Sequence, residues 1–260
     1  MNADPLFSPP LDMQDLVLHT QRLVESWQSR CSGRPIRCWH TELAPKRTDS
    51  PSRRPRQPAL VLSGDVGVEL GPPSEASCSL VLRTSDLSLV HPGRVTLVGP
   101  DLPDARPGAR LPFAQVVVVG IGPEARPDPF TLENLSFLTH RLPGYMARSI
   151  PGRLWVRISR DTHARGLTFR TVGEALISSY LSELPEVTTA EVLFVTSSRD
   201  DVAALAPIAL AAEVVAGHHR KLALAEDGDL SCVDMTCDTC EEKPVCDGLR
   251  EMIQHRRGSP

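Results

Sequence analysis

Between Ala59 and Gly120 the chain breaks into short β-rich runs: ALVLS (59–63), CSLVL (78–82), RVTLVG (94–99) and FAQVVVVG (113–120). Turn pairs punctuate them, at Gly71-Pro72, Pro92-Gly93 and Gly99-Pro100. Runs this short, rich in valine and leucine and bounded by breakers, read as strands. From there the texture alternates. Residues 131–141 predict a helix with Thr131 as its cap, and the LWVRIS stretch ending at Ser159 predicts a strand. Val172 to Leu184 keeps a helical repeat and stops at Pro185, AEVLFVTS (190–197) is a strand of the buried type, and a long helix is expected from Arg199 to Gly217. Strands alternating with helices predict an α/β fold on a mixed, partly parallel sheet.

The flanks have a different composition. Eight prolines fall by position 58, and TDSPSRRPRQP (48–58) is linker-like. Within that region Leu11 to Gln28 is amphipathic, with Leu16, Leu18, Leu23, Val24 and Trp27 mostly on one stripe. Such a helix can dock on its own domain or bind a partner. The expected plan is residues 1–57 as an N-terminal helix and Pro/Arg-rich linker (41–57 exposed), 58–220 as the α/β domain, and 221–260 as a cysteine-rich segment with a short C-terminal helix.

A net charge of −4 gives no general drive toward nucleic acid or an anionic membrane, and neither is expected as a partner. No apolar run reaches the length of a membrane span. MNADPLFSPP lacks a basic and apolar secretory signal, which places the chain in the cytoplasm. With seven cysteines, an odd number, and no export signal, a disulfide framework is disfavoured.

Four of those cysteines fall within fifteen residues, Cys232-x4-Cys237-x2-Cys240-x5-Cys246. Thiolates so close on a polar loop predict a shared metal or cluster. A [4Fe–4S] cluster is favoured, because zinc sites usually pair two C-x2-C knuckles and only Cys237/Cys240 forms one. Zinc and an empty site stay open. The segment 221–249 carries two basic residues against eight acidic ones, which would lower a bound cluster's potential. Cys31, Cys38 and His40 match no strong metal spacing, and Cys78 sits in an apolar run as a core residue.

DVGVELGPP (65–73), GRVTLVGPDL (93–102), LWVRISRD (154–161) and GLTFRTVGEALISSYL (166–181) carry a resemblance. In order and spacing they resemble the CO dehydrogenase/acetyl-CoA synthase complex beta subunit, and more narrowly the middle domain of acetyl-CoA synthase. The resemblance covers about 150 residues. It implies CO-methylating acetyl-CoA synthase chemistry at a nickel–nickel–[4Fe–4S] site. This sequence departs from that pattern: its cysteine spacing is tighter, and the Cys-Gly-Cys chelate for the second nickel is absent. The sequence also stops fourteen residues past Cys246, so a shortened form is expected.

The resemblance further implies coenzyme A binding through a tryptophan and arginines, with Trp155 in the tryptophan's place. Strand alternation puts Leu154, Val156 and Ile158 on one face and Trp155, Arg157 and Ser159 on the other. An indole beside a guanidinium can hold an adenine and a phosphate. The alternative is plain packing of Trp155 beneath a helix. His218 and His219 read as helix-end residues, and Arg160, Asp161, His163 and Arg165 as a charged loop. No P-loop, serine elbow or dinucleotide fingerprint occurs. Three functions remain. The first is an iron–sulfur electron-transfer or accessory subunit of anaerobic one-carbon metabolism, with a redox, corrinoid or CO dehydrogenase-type subunit as partner. The second is a component of the acetyl-CoA synthase reaction, and the third a zinc-stabilised adaptor.

Overall fold

In the computed structural model the described residues are 12–29, 35–42, 60–125, 127, 129–136, 142–150, 153–215, 222–224, 230–232 and 247. The chain divides into two units, Met1–Val215 and Ala216–Pro260.

The first unit is built from two mixed sheets. In chain order it runs α1 (Met13–Ser29), β1 (Ile36–His40), β2 (Val66–Leu70), β3 (Ser77–Thr84), β4 (Arg94–Val98), β5 (Ala109–Leu111) and β6 (Phe113–Ile121). It continues with α2 (Pro129–Leu135), β7 (Tyr145–Ile150), β8 (Arg153–Ser159), α3 (Arg160–Ala164), α4 (Phe169–Glu183), β9 (Val187–Val195), α5 (Arg199–Ala203) and α6 (Ala206–Val215). The larger sheet has the order β1-β4-β9-β6-β3 and the smaller one β5-β2-β8-β7. β4–β9, β3–β6 and β2–β5 are parallel pairs, and the remaining neighbours in these two sheets are antiparallel.

Alternation along the central strands sorts the core into two layers. On β6, Ala114, Val116 and Val118 face one way and join Leu16, Val17 and Trp27 of α1 with Val202, Ile208 and Ala212 of α5 and α6. Phe113, Val117 and Val119 face the other way, toward Phe169, Val172, Leu176 and Tyr180 of α4 and the inner face of the smaller sheet. Every residue of β6 is buried, as a strand covered on both faces requires. Its one polar residue, Gln115, donates to the Ser136 carbonyl at 3.0 Å, which satisfies an amide only 1% exposed. Phe113, Phe169 and Phe194 pack together with centroids 4.8–6.1 Å apart and knit β6, α4 and β9.

Helix α4 starts at a serviceable cap: the Thr168 side chain accepts from the Thr171 amide. It lies close to β4 at Gly173, where a Cβ would come within 2.6 Å of both methyl carbons of Val95. The amphipathic N-terminal helix docks on its own unit through Leu16, Val17 and Trp27. β1, immediately after it, pairs antiparallel with β4 as an edge of the larger sheet.

Several sequence expectations shift. ALVLS (59–63) forms no strand among its described residues; Leu60 and Leu62 are 66% and 64% exposed. The strand lies next to it, at β2, where Val68 and Leu70 find the core and those leucines do not. The helix expected at 131–141 begins at Pro129, so Thr131 lies inside it; residues 137–141 lie outside the described residues. The helix expected from Arg199 to Gly217 is two helices, parted at Ala204 and Leu205. Pro207 lacks an amide hydrogen and fits a helix's first turn, not its interior.

In the second unit, β10 (Leu222–Leu224) and β11 (Leu230–Cys232) pair antiparallel as a two-stranded hairpin. Of the expected exposed linker 41–57, Thr41 is half-buried with its amide donating to the Gly93 carbonyl at 2.9 Å, Glu42 is exposed, and 43–57 lie outside the described residues.

Candidate functional site

The smaller sheet carries the site on its outer face. Its inner face is apolar: Val68 and Leu70 of β2 and Leu154, Val156 and Ile158 of β8 are 0% exposed in the core. Alternation therefore pushes Glu69, Trp155 and Arg157 to the other side. Register then sets the neighbours. Glu69 lies opposite Arg110 on β5 and opposite Arg157 on β8; Arg157 lies opposite Met146 of β7, and Trp155 opposite Arg148.

Glu69 joins these side chains. Its Oε1 accepts from Trp155 Nε1 at 3.0 Å and from Arg157 Nε at 3.1 Å. Its Oε2 pairs with Arg110 Nε at 3.2 Å. The guanidinium carbon of Arg157 sits 4.4 Å from the centroid of the Trp155 ring, a stacked cation–π contact. Glu69 is 8% exposed, whereas the Arg110 side chain is 64% exposed. Trp155 is part-exposed. With Arg148 also exposed, the face presents an aromatic ring among three arginines and one carboxylate.

The strands beneath are held in place. Ser77 Oγ donates to the Leu154 carbonyl at 2.6 Å and accepts from the Leu154 amide at 2.9 Å, tying β3 of the larger sheet to the residue before Trp155. Arg153 donates to the Pro72 and Glu75 carbonyls at 3.1 and 2.7 Å. At the end of β2, Gly71 has φ +58° and packs so tightly that a Cβ would lie 2.5 Å from the Leu154 carbonyl oxygen. Arg199 forks onto the Glu75 carboxylate with two contacts of 2.7 Å. That pairing holds Glu75 below the usual carboxylate range.

Of the metal-ligand candidates, Cys232 lies at the end of β11, opposite Leu222. Cys237, Cys240 and Cys246 lie outside the described residues. Among the described residues no group of three His, Cys, Asp or Glu side chains is gathered as a metal would need. Cys38 is exposed on β1, 3.7 Å from Thr96 Oγ1, and Cys31 lies outside the described residues. Cys78 is buried in the core, and burial pushes its thiol up to about 12, which makes it an unreactive thiol. His163 contacts the Leu102 carbonyl and Arg165 pairs with Asp161, so this charged set is local scaffolding. His218 and His219 lie outside the described residues.

A second charged cluster sits on two neighbouring strands of the larger sheet, β4 and β9. Glu191 is buried on β9 and pairs with Arg94 at 2.8 Å; His91 Nδ1 approaches the same oxygen at 3.6 Å. Burial raises the Glu191 carboxyl above its ordinary range against the pull of Arg94. Burial, then Arg94 and His40, lower His91.

Sequence reasoning found Trp155 and Arg157 and missed Glu69 and Arg110. One signal for Glu69 was available: in VGVEL a carboxylate alternates with valine and leucine. Arg110 sits on a three-residue strand, too short to leave a periodic trace.

Residues 59–201 match the family model of the CO dehydrogenase/acetyl-CoA synthase complex beta subunit. Among curated proteins, the chain is 32% identical over 141 residues to the acetyl-CoA decarbonylase/synthase complex subunit beta 1 of Methanosarcina mazei, covering 52% of this chain and 29% of that one. It is 33% identical over 139 residues to subunit beta 2 of Methanosarcina thermophila, covering 51% and 28%. Against the Archaeoglobus fulgidus subunit beta it is 28% identical over 138 residues, covering 52% and 26%. The matched stretch thus spans less than a third of each of these relatives. The family-model match includes both β2 and β8.

Proposed function

The chain belongs to the CO dehydrogenase/acetyl-CoA synthase complex beta subunit family, and we propose that within it the chain serves as an iron–sulfur accessory or electron-transfer subunit with a coenzyme A surface. The observation that carries the reading is the stacked Trp155–Arg157 pair, 4.4 Å apart, on a sheet face it shares with Arg110 and Arg148. A part-exposed indole offers an adenine a ring face to stack on, and arginines suit phosphates. Both residues lie inside the family match.

The cysteine segment supplies the other half. Four thiolates within fifteen residues are the donor set that a [4Fe–4S] cluster takes. Cys232, Cys237, Cys240 and Cys246 would hold it, and the cluster would supply one-electron transfer. No Cys-Gly-Cys occurs in the sequence, which favours the accessory role over a complete acetyl-forming nickel site. The relatives are named as subunits of a complex, and a protein partner in anaerobic one-carbon metabolism is proposed for this chain on that ground. Among the described residues no helix is long and apolar enough to cross a membrane; the cytoplasm is the proposed setting.

Titration with coenzyme A tests the surface. Ligand should quench Trp155 fluorescence, and Trp155→Phe and Arg157→Ala should each weaken binding. Stacking of this kind contributes about 1–3 kcal/mol, so Trp155→Phe, which keeps a smaller ring, should cost the lower part of that range. Binding unchanged in both variants, or no binding at millimolar ligand, would remove the coenzyme A reading. Metal analysis and electron paramagnetic resonance of anaerobically purified protein test the cluster. About four irons per chain are expected, and stoichiometric zinc without iron would point to the adaptor role.

A further inference from the structure

A carboxylate at position 69 is expensive where it stands. It is 8% exposed, on the face where an anionic ligand would be welcome and an extra negative charge would not. Three donors from two neighbouring strands offset that burial: Trp155 Nε1, Arg157 Nε and Arg110 Nε, at 3.0, 3.1 and 3.2 Å. The two that reach Oε1 are the pair proposed to meet the ligand. The register explains why Glu69 can do this. It is central in its sheet, opposite Arg110 on one side and Arg157 on the other.

We propose that Glu69 is the positioning residue of this surface: its buried Oε1 fixes the Trp155 indole and the Arg157 guanidinium as one stacked unit. An unheld indole on a sheet face samples several rotamers. With Nε1 committed to Glu69 the ring has one orientation, and with Arg157 stacked on it one ring face is already covered. A flat ligand therefore meets the other face. Arg157 has its Nε turned to Glu69, which leaves the terminal nitrogens of the fork for an anion. Fixing both groups in advance removes ordering costs from binding. The ligand half of this assignment rests on the coenzyme A reading; the fixing of Trp155 does not.

The experiment uses the full chain labelled with 5-fluorotryptophan. It has three tryptophans, and Trp155→Phe assigns the resonance of interest. In ligand-free protein, Glu69→Leu should shift and broaden the Trp155 resonance while leaving the other two in place. Glu69→Gln, which keeps an acceptor oxygen, should leave the Trp155 resonance near its wild-type position. For coenzyme A, Glu69→Leu should weaken binding about tenfold or more and Glu69→Gln by no more than about threefold, a tenfold change being about 1.4 kcal/mol. Should Glu69→Leu not fold, Arg157→Lys keeps the charge but removes Nε and should move the Trp155 resonance likewise. A Trp155 resonance indifferent to Glu69→Leu, or to Arg157→Lys where that stands in for it, overturns the proposal. So does equal loss of binding in Glu69→Leu and Glu69→Gln. Wild-type protein that ignores coenzyme A would retire the ligand reading, while the ligand-free spectra still decide the role of Glu69.

Discussion

At Gly173 a single missing carbon sets how near α4 lies to the sheet. Alanine is the better helix former by about 1 kcal/mol. Yet an added Cβ would come within 2.6 Å of both Val95 methyls, too close for any ordinary contact. The clash should win, because forcing extra carbon into a packed core costs about 1–3 kcal/mol. Gly173→Ala is expected to lower stability in urea unfolding, and Gly173→Ala with Val95→Ala to relieve the crowding while leaving the loss of the valine itself. The same scale explains what was readable at the candidate site. Trp155 and Arg157 announce themselves in RLWVRIS, because alternation is unbroken over the six residues 153–158. Glu69 did not, because its strand begins in a register shift between Val66 and Val68, and the apolar run just before it, ALVLS, imitates a strand better than β2 does.

At the scale of elements, one hydroxyl adds a polar tie between two sheets that already share a core. Ser77 supplies a donor and an acceptor to the backbone of Leu154. Ser77→Ala would leave both backbone groups without that partner, at about 1–3 kcal/mol, and would loosen β8 just before Trp155. Thermal unfolding should report the loss, and hydrogen exchange should quicken at the Leu154 amide before other β8 amides. A second element-scale prediction concerns pH. His91 titrates lower in the folded chain than its ordinary value near 6.5, so the unfolded chain binds the extra proton first. Its contribution to stability is therefore whole above that value and is lost as pH falls through it toward the folded pKa. Since half of the ring is in water, the effect is small. Comparing the pH dependence of melting in wild type and His91→Gln isolates it: the variant should lose less stability between pH 7 and pH 6. Helices α1 and α4 were legible from their repeats, whereas α3, expected as a charged loop, and the strands β1, β5 and β7 were not. Those short strands exist because a neighbouring strand offers an edge, a condition that no local pattern records.

For the molecule as a whole, the family match begins at residue 59, but the first unit's architecture does not. α1 covers apolar residues of β3 and β6, and β1 closes the β4 edge. Removing residues 1–40 should uncover that edge and the apolar face together. The shortened chain is expected to self-associate more strongly than the full chain in sedimentation analysis. If it stayed monomeric and equally stable, the N-terminal elements would be dispensable to the sheet.

The order β1-β4-β9-β6-β3 also bears on how the polypeptide emerges from the ribosome. The middle strand of the five is the last of them in the chain, Val187–Val195. Until it arrives, β1 with β4 and β6 with β3 can exist only as two separate pairs, each with a bare edge waiting for the same partner. Hydrogen bonds to both sides then form in one late event, linking β4 with a strand some ninety residues further along. Such distant pairings make folding slow. During synthesis, the interval before residue 195 is when this protein has most need of a chaperone.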